Sequence, residues 1–300
     1  MTYTPNIDLD AITAIDVHTH VEADDDHRHF SFDDELMAAS AKYFKAGANR
    51  TPSVDDLADY YRQRNMAAVV FTVDAGTALG GRPPISSEKI AERAAVHSDV
   101  LIPFGSVDPL DMTDALPRLR SLATDHGIRG VKFHPSLQGF VPNERQYYPL
   151  YEVCAEHGLV ALFHTGQTGI GAGLPGGRGI KLRYSDPMLL DDVAADFPEL
   201  TMIFAHPSVP WVDSSISIAT HKANVYLDLS GWSPKYFPPQ LVQATNSFLK
   251  HKVLFGSDFP VITPDRWVAD FATLGIREDV TQLVMKDNAA GVLGLGSTTA

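Results

Sequence analysis

What most restricts this chain is a cadence. Eight short apolar runs recur along its 300 residues, with helix-like segments between them. The first, at 11–15, leads into Asp16-Val17-His18-Thr19-His20; the others lie at 67–73, 100–105, 128–134, 159–164, 201–206, 224–229 and 253–256. Nearly all are continuous rather than alternating, so both faces are buried, as in parallel strands under helices. Helix signals fill the gaps. Ser53 is an N-cap followed by Asp55 and Asp56 in the first turn, and Gly127 and Gly158 stop two later helices. Eight such units predict a (β/α)8 TIM barrel, a single domain over 1–300. A long insertion follows the first strand at 21–52, with a short helix near 33–44, and a C-terminal helix covers 277–293. An open doubly wound sheet is the alternative.

Charge narrows the partners. With 24 basic and 37 acidic residues the formal net charge is -13, which argues against nucleic acid or an anionic membrane as the main partner. Cys154 is the one cysteine, so neither an internal disulfide nor a cysteine metal cluster is available. It sits in a helical pattern and reads as a buried, inert thiol. The first ten residues are polar and acidic, unlike a signal peptide, and no apolar run approaches a membrane span of about 20 residues. The expected location is the cytoplasm.

The chemistry collects at strand ends. Side chains alternate along a strand, so His18 and His20 share a face about 6.5–7 Å apart, close enough to grip one metal ion. Asp16 is expected on that face, one step deeper. Later runs end in Lys132 and His134, His164, His206 and Asp258. In a barrel all these ends open onto one mouth. A lone strand-end histidine is ordinarily satisfied by a backbone carbonyl; five strands converging on such groups is a different matter. A nitrogen-rich set with one carboxylate suits Zn2+ best, with Mn2+, iron or cobalt as alternatives.

The ordered pattern His-x-His, His, His and Asp resembles the amidohydrolase superfamily of metal-dependent hydrolases over essentially the whole chain. The segments Lys132-Phe133-His134-Pro135, Phe163-His164-Thr165-Gly166 and Gly256-Ser257-Asp258-Phe259-Pro260 are similar to the amidohydrolase-related branch, which includes aminocarboxymuconate-semialdehyde and resorcylate-type decarboxylases. More narrowly, the chain resembles 4-hydroxyphenyl-β-ketoacyl-CoA hydrolases. The resemblance implies that His18, His20, His164 and Asp258 bind one divalent metal, with His206 beside it for proton transfer or oxyanion stabilisation. Lys132 stands where binuclear relatives carry a carboxylated lysine, and His134 contacts substrate or packs at its strand end. The implied reaction is attack of a metal-activated water on a carbonyl, with Asp258 moving the proton. Applied to an aryl β-ketoacyl-CoA it would cleave a carbon–carbon bond. Decarboxylation of an aromatic or unsaturated acid would use the same residues, and a non-catalytic barrel that kept its histidines is a third class.

Substrate contacts are expected on the loops. The stretch 166–186 is rich in glycine and carries Arg178, Lys181 and Arg183. It is read as a basic flap over a small anionic or CoA-linked substrate, or else as a solvated loop. Its glycines match the dinucleotide fingerprint poorly because no helix follows. Trp232, in Gly231-Trp232-Ser233-Pro234, supplies either an aromatic wall or a contact in a homodimer. His27 and His29 read as part of a solvated or lid-forming loop rather than as ligands.

Overall fold

The computed structural model describes residues 2–44 and 51–296; 45–50, within the expected insertion, lie outside it. Eight strands follow in order: β1 (Ala14–His20), β2 (Met66–Phe71), β3 (Leu101–Gly105), β4 (Gly130–Phe133), β5 (Val160–His164), β6 (Met202–Ala205), β7 (Val225–Asp228) and β8 (Val253–Leu254). Each pairs in parallel with the next in sequence. The chain after β8 closes the ring onto β1. The Val17 amide donates to the Phe255 carbonyl at 3.0 Å, the Asp258 amide to His18 at 3.0 Å, and the His20 amide to Phe259 at 2.8 Å. The expected (β/α)8 barrel is what the chain forms, with each strand within a few residues of its predicted place.

The helices are α1 (Asp34–Tyr43), α2 (Val54–Arg62), α3 (Ser87–Val96), α4 (Met112–Ser121), α5 (Pro135–Gln138) and α6 (Tyr148–Glu156). They continue as α7 (Met188–Asp196), α8 (Val212–His221), α9 (Pro239–Thr245), α10 (Pro264–Phe271), α11 (Glu278–Gln282) and α12 (Asn288–Val292). Ser53 begins α2 through a reciprocal capping box with Asp56. Gly127, at φ 72°, ends the segment that α4 opens. Sequence reading missed α10, although Thr263 caps it and Pro264 occupies its first turn, a standard N-terminal pairing.

Strand periodicity explains the unbroken apolar runs. Val69, Phe71, Ile102, Phe104, Leu162 and Ile203 pack into one cluster, while Ala68, Val70 and Leu101 pack against Leu57, Tyr61 and Ile90 of the covering helices. Both faces are dry. The register of β1 slips between Asp16 and Thr19. Asp16 therefore does not share the face of His18 and His20. It turns to α2, where the Tyr61 hydroxyl donates to it at 2.6 Å and the Ser257 amide at 2.9 Å. A bulge resets the alternation, which a strict two-residue period could not foresee.

Candidate metal centre

The barrel mouth brings the strand-end residues together. His18 and His20 come from the end of β1, Lys132 from β4, His164 from the end of β5 and Asp228 from the end of β7. His134, His206 and Asp258 follow β4, β6 and β8. His206 (φ 70°) and Asp258 (φ 65°) both adopt left-handed backbone, costly for residues with a Cβ and characteristic of sites where side-chain aim outweighs backbone comfort.

Asp258 is the hub. Its Oδ1 lies 3.2 Å from His18 Nε2 and 3.1 Å from His20 Nε2. Burial opposes its charge, but His18, the hydrogen bond from His20, and His206 outweigh that and hold the carboxyl well below the ordinary range. The imidazoles of His18, His134 and His164 are pushed well below the usual value, first by burial and then by the adjacent Lys132 for His18 and His134, and by the adjacent ring of His134 for His164. Ionised carboxylate and neutral imidazole are the forms that ligate metals. Among the described residues, ligand atoms of His18, His206 and Asp258 all lie within 4.8 Å of one another.

His164 supplies the test of fit. Its Nδ1 is 2.9 Å from His206 Nε2, and its ring stacks on His134 with centroids 3.7 Å apart. Its Nε2 is buried without a hydrogen-bond partner. Leaving such an atom unpaired is costly unless something binds it. The anionic carboxylate of Asp258, the neutral imidazole of His18 and the orphaned nitrogen of His164 fit a divalent cation.

Lys132 is fully buried, its Nζ 3.0 Å from His18 Nε2, and burial lowers its ammonium to about 8. His134 lines the cavity, accepts from the Leu137 amide and faces Thr168 Oγ1 at 3.3 Å, so it braces His164 as well as facing substrate space.

Above this floor lies a cavity of about 730 Å³. Phe30, Phe32, Met37 and Phe44 form one wall, and Ile170, Trp232 and Tyr236 line it elsewhere. The loop after β5 lines it through Gln167, Thr168, Gly169 and Ile170, but the expected basic residues Arg178, Lys181 and Arg183 do not. Arg178 forms a two-pronged ion pair with Asp33 and reaches Glu35 at 3.4 Å, joining the 166–186 loop to the start of α1. Arg183 is exposed and lies over the Tyr184 ring. Arg266 is the one guanidinium among the described lining residues. His27 pairs with Asp56 and His29 contacts the Pro83 carbonyl, so neither joins the ring.

Three positions around the candidate site escaped sequence reading. Asp228, fully buried, lies 2.6 Å from His18 Nδ1; its signal was a carboxylate ending the seventh run. Ser230 touches Asp228, His18 and His206. Glu22 lines the cavity with its carboxyl raised by burial, and its place in an acidic stretch concealed it.

The amidohydrolase family model (Amidohydro_2) matches residues 15–295. The chain belongs to the amidohydrolase family. Its members are metal-dependent enzymes. Among solved structures, this amidohydrolase is similar to an uncharacterized TIM-barrel protein from Bordetella bronchiseptica, at 23% identity and TM-score 0.76 over 94% of this chain and 98% of that one. It is also similar to a dihydroxybenzoic acid decarboxylase from Polaromonas sp. JS666 with bound manganese and the inhibitor 2-nitroresorcinol (16% identity, TM-score 0.67, 96% and 98% coverage). A third is a probable 2-pyrone-4,6-dicarboxylic acid hydrolase from Acinetobacter baumannii with citric acid bound (17%, 0.61, 94% and 100%). At these identities the likeness establishes the fold. No curated protein matches the chain. No helix among the described residues is long and apolar enough to cross a membrane.

Proposed function

We propose that this amidohydrolase holds one divalent metal through His18, His20, His164 and Asp258 and hydrolyses a carbonyl compound with an apolar, aromatic body. The observation that carries the reading is the pairing of an ionised Asp258, touching both β1 histidines, with the orphaned Nε2 of His164 beneath an aromatic-walled cavity. Zinc is the metal its nitrogen-rich donor set suits, and manganese, which the Polaromonas structure carries, is the second choice. The bound ion would supply Lewis acidity, polarising the substrate oxygen and activating a water.

The chain's own groups divide the remaining work. Asp258 takes the proton from the attacking water and returns it to the leaving atom. His206, which lines the same cavity, is a second proton-transfer group for the reaction. The phenylalanines that flank α1, Phe30, Phe32 and Phe44, with Trp232, exclude water and hold the aromatic body. For an aryl β-ketoacyl thioester, water adds to the keto carbonyl and the adjacent carbon–carbon bond breaks. An aryl acid leaves, and the thioester enolate takes the proton. A cavity of about 730 Å³ falls in the range of drug-sized ligands, larger than one ring requires. With coenzyme A as the thiol carrier, its phosphates would meet Arg266 at the mouth; Arg178 and Arg183 stay outside the lining. We place the enzyme in the cytoplasm, and the homodimer remains part of this reading.

Decarboxylation is the second reading, favoured by the aromatic walls and by the activity for which the Polaromonas relative is named. Asp258 would then protonate a ring carbon. Metal-loaded protein incubated with an aryl β-ketoacyl thioester and, separately, with hydroxylated benzoic acids separates the two. Release of aryl acid from the thioester is expected. Carbon dioxide from the benzoic acids with an intact thioester would overturn hydrolysis.

A further inference from the structure

One carboxylate and one hydroxyl behind the histidines take no part in the mechanism above, yet they touch two of its imidazoles. Asp228 and Ser230 are completely buried at the end of β7. The Ser230 amide donates to Asp228 Oδ1 at 2.8 Å, and the Ser230 hydroxyl donates to Oδ2 at 2.9 Å. The same Oδ2 lies 2.6 Å from His18 Nδ1. Ser230 Oγ is also 3.0 Å from His18 Nδ1 and 3.0 Å from His206 Nδ1, and the Ser230 carbonyl is 3.1 Å from His206 Nδ1.

We propose that Asp228 and Ser230 are positioning residues that fix which ring nitrogen of His18, His206 and His164 carries the proton, and so leave lone pairs on two imidazole nitrogens, His18 Nε2 and His164 Nε2, for the metal. Asp228 accepts from Ser230 at both oxygens, so in the 2.6 Å contact the proton belongs to His18 Nδ1. His18 Nε2 then carries its lone pair toward Asp258, and there the Lys132 ammonium donates to it at 3.0 Å. Ser230 gives its hydroxyl proton to Asp228, so its oxygens accept from His206 Nδ1. His206 Nε2 is therefore an acceptor, and the atom opposite it, His164 Nδ1 at 2.9 Å, must donate. The relay ends at His164 Nε2, a lone pair with no partner.

Two glycines keep room for this arrangement. A Cβ on Gly256 would collide with the Asp228 carboxylate, and one on Gly231 would stand 2.5 Å from His206 Nδ1.

The proposal rests on the reading that His18 and His164 hold metal, and its test separates the two. Zn2+ affinity, measured by chelator competition, and the visible spectrum of the Co2+ form are compared among wild type, Asp228→Asn and Ser230→Ala. Carboxylates behind ligating histidines govern metal affinity by about 10- to 100-fold. Asp228→Asn should lose affinity in that range and change the Co2+ spectrum, with Ser230→Ala losing less because His18 keeps its carboxylate. A folded Asp228→Asn with wild-type affinity and spectrum overturns the proposal, since a purely structural role would move only the melting temperature. If Asp228→Asn does not fold, nitrogen-15 NMR of histidine-labelled wild type decides. Nδ1 protonation of His18, His206 and His164 is expected; an Nε2-protonated His18 contradicts it. A wild type that binds no metal fails the earlier reading instead, and the same spectra still report the tautomers.

Discussion

The floor and the walls of the cavity are built on different principles. On the floor, His18, Lys132, His164, Asp228 and Asp258 stand on or just beyond strand ends, and buried partners fix each of them. The walls come from α1, the residues beside it, and the loops after β5 and β7, and they are joined by an ion pair between Arg178 and Asp33, each about a third exposed. The floor is a polar network in a dry setting, where removing one partner is expensive. The walls are apolar surface, whose loss costs in proportion to contact. Chemistry therefore belongs to the floor and selectivity to the walls, and substitutions should separate the two.

The largest effect is expected at the hub. Asp258→Asn should lower turnover by about 10²- to 10⁴-fold, the usual worth of a positioned acid–base group, while leaving the circular dichroism spectrum intact. Undiminished activity would remove the floor from the mechanism.

Lys132 offers a pH-resolved test. Burial lowers its ammonium to about 8 from an ordinary 10.5. Below pH 8 the folded metal-free protein carries the whole cost of a buried charge. Between 8 and 10.5 the folded side chain is neutral while the unfolded one is still protonated, so the cost fades, and above 10.5 it is gone. Lys132→Met should stabilise the metal-free protein most below pH 8, by on the order of 3 kcal/mol, with the gain vanishing near pH 10.5. Thermal melts at intervals across that range check it; a pH-independent gain would contradict the assignment.

The walls should respond more mildly. Trp232→Ala should reduce kcat/KM by about 10- to 200-fold, the range for lost apolar contact with substrate, with metal content unchanged. Loss of metal in that variant would erase the distinction between floor and walls. Smallest is Arg178→Ala, which breaks an ion pair whose partners are each about a third exposed; stability should fall by no more than about 1 kcal/mol, and turnover should hold. A collapse of activity would make the loop–α1 contact part of the site.

The same contrast explains what could be read from the sequence. Strand ends are legible because a barrel's cadence tells where each falls, and His18, His20, His164, His206 and Asp258 needed only that register. Asp16 was misplaced because a bulge in β1 breaks the alternation on which its assignment depended. Asp228 and Ser230 were missed because their role is a contact with His18, 210 and 212 residues away in sequence. Arg178 was expected over substrate because charge on a glycine-rich loop has no visible partner in sequence; Asp33, 145 residues earlier, supplies one. Tertiary pairing, not local pattern, decided each of these.

The most direct test of the central claim is anomalous diffraction from crystals of the zinc- or manganese-loaded protein. One metal peak per chain is expected, bound by His18, His20, His164 and Asp258, with His206 beside it and outside the ligand set. A peak held instead by the compact group of His18, His206 and Asp258, with His164 Nε2 still unpaired, would contradict it.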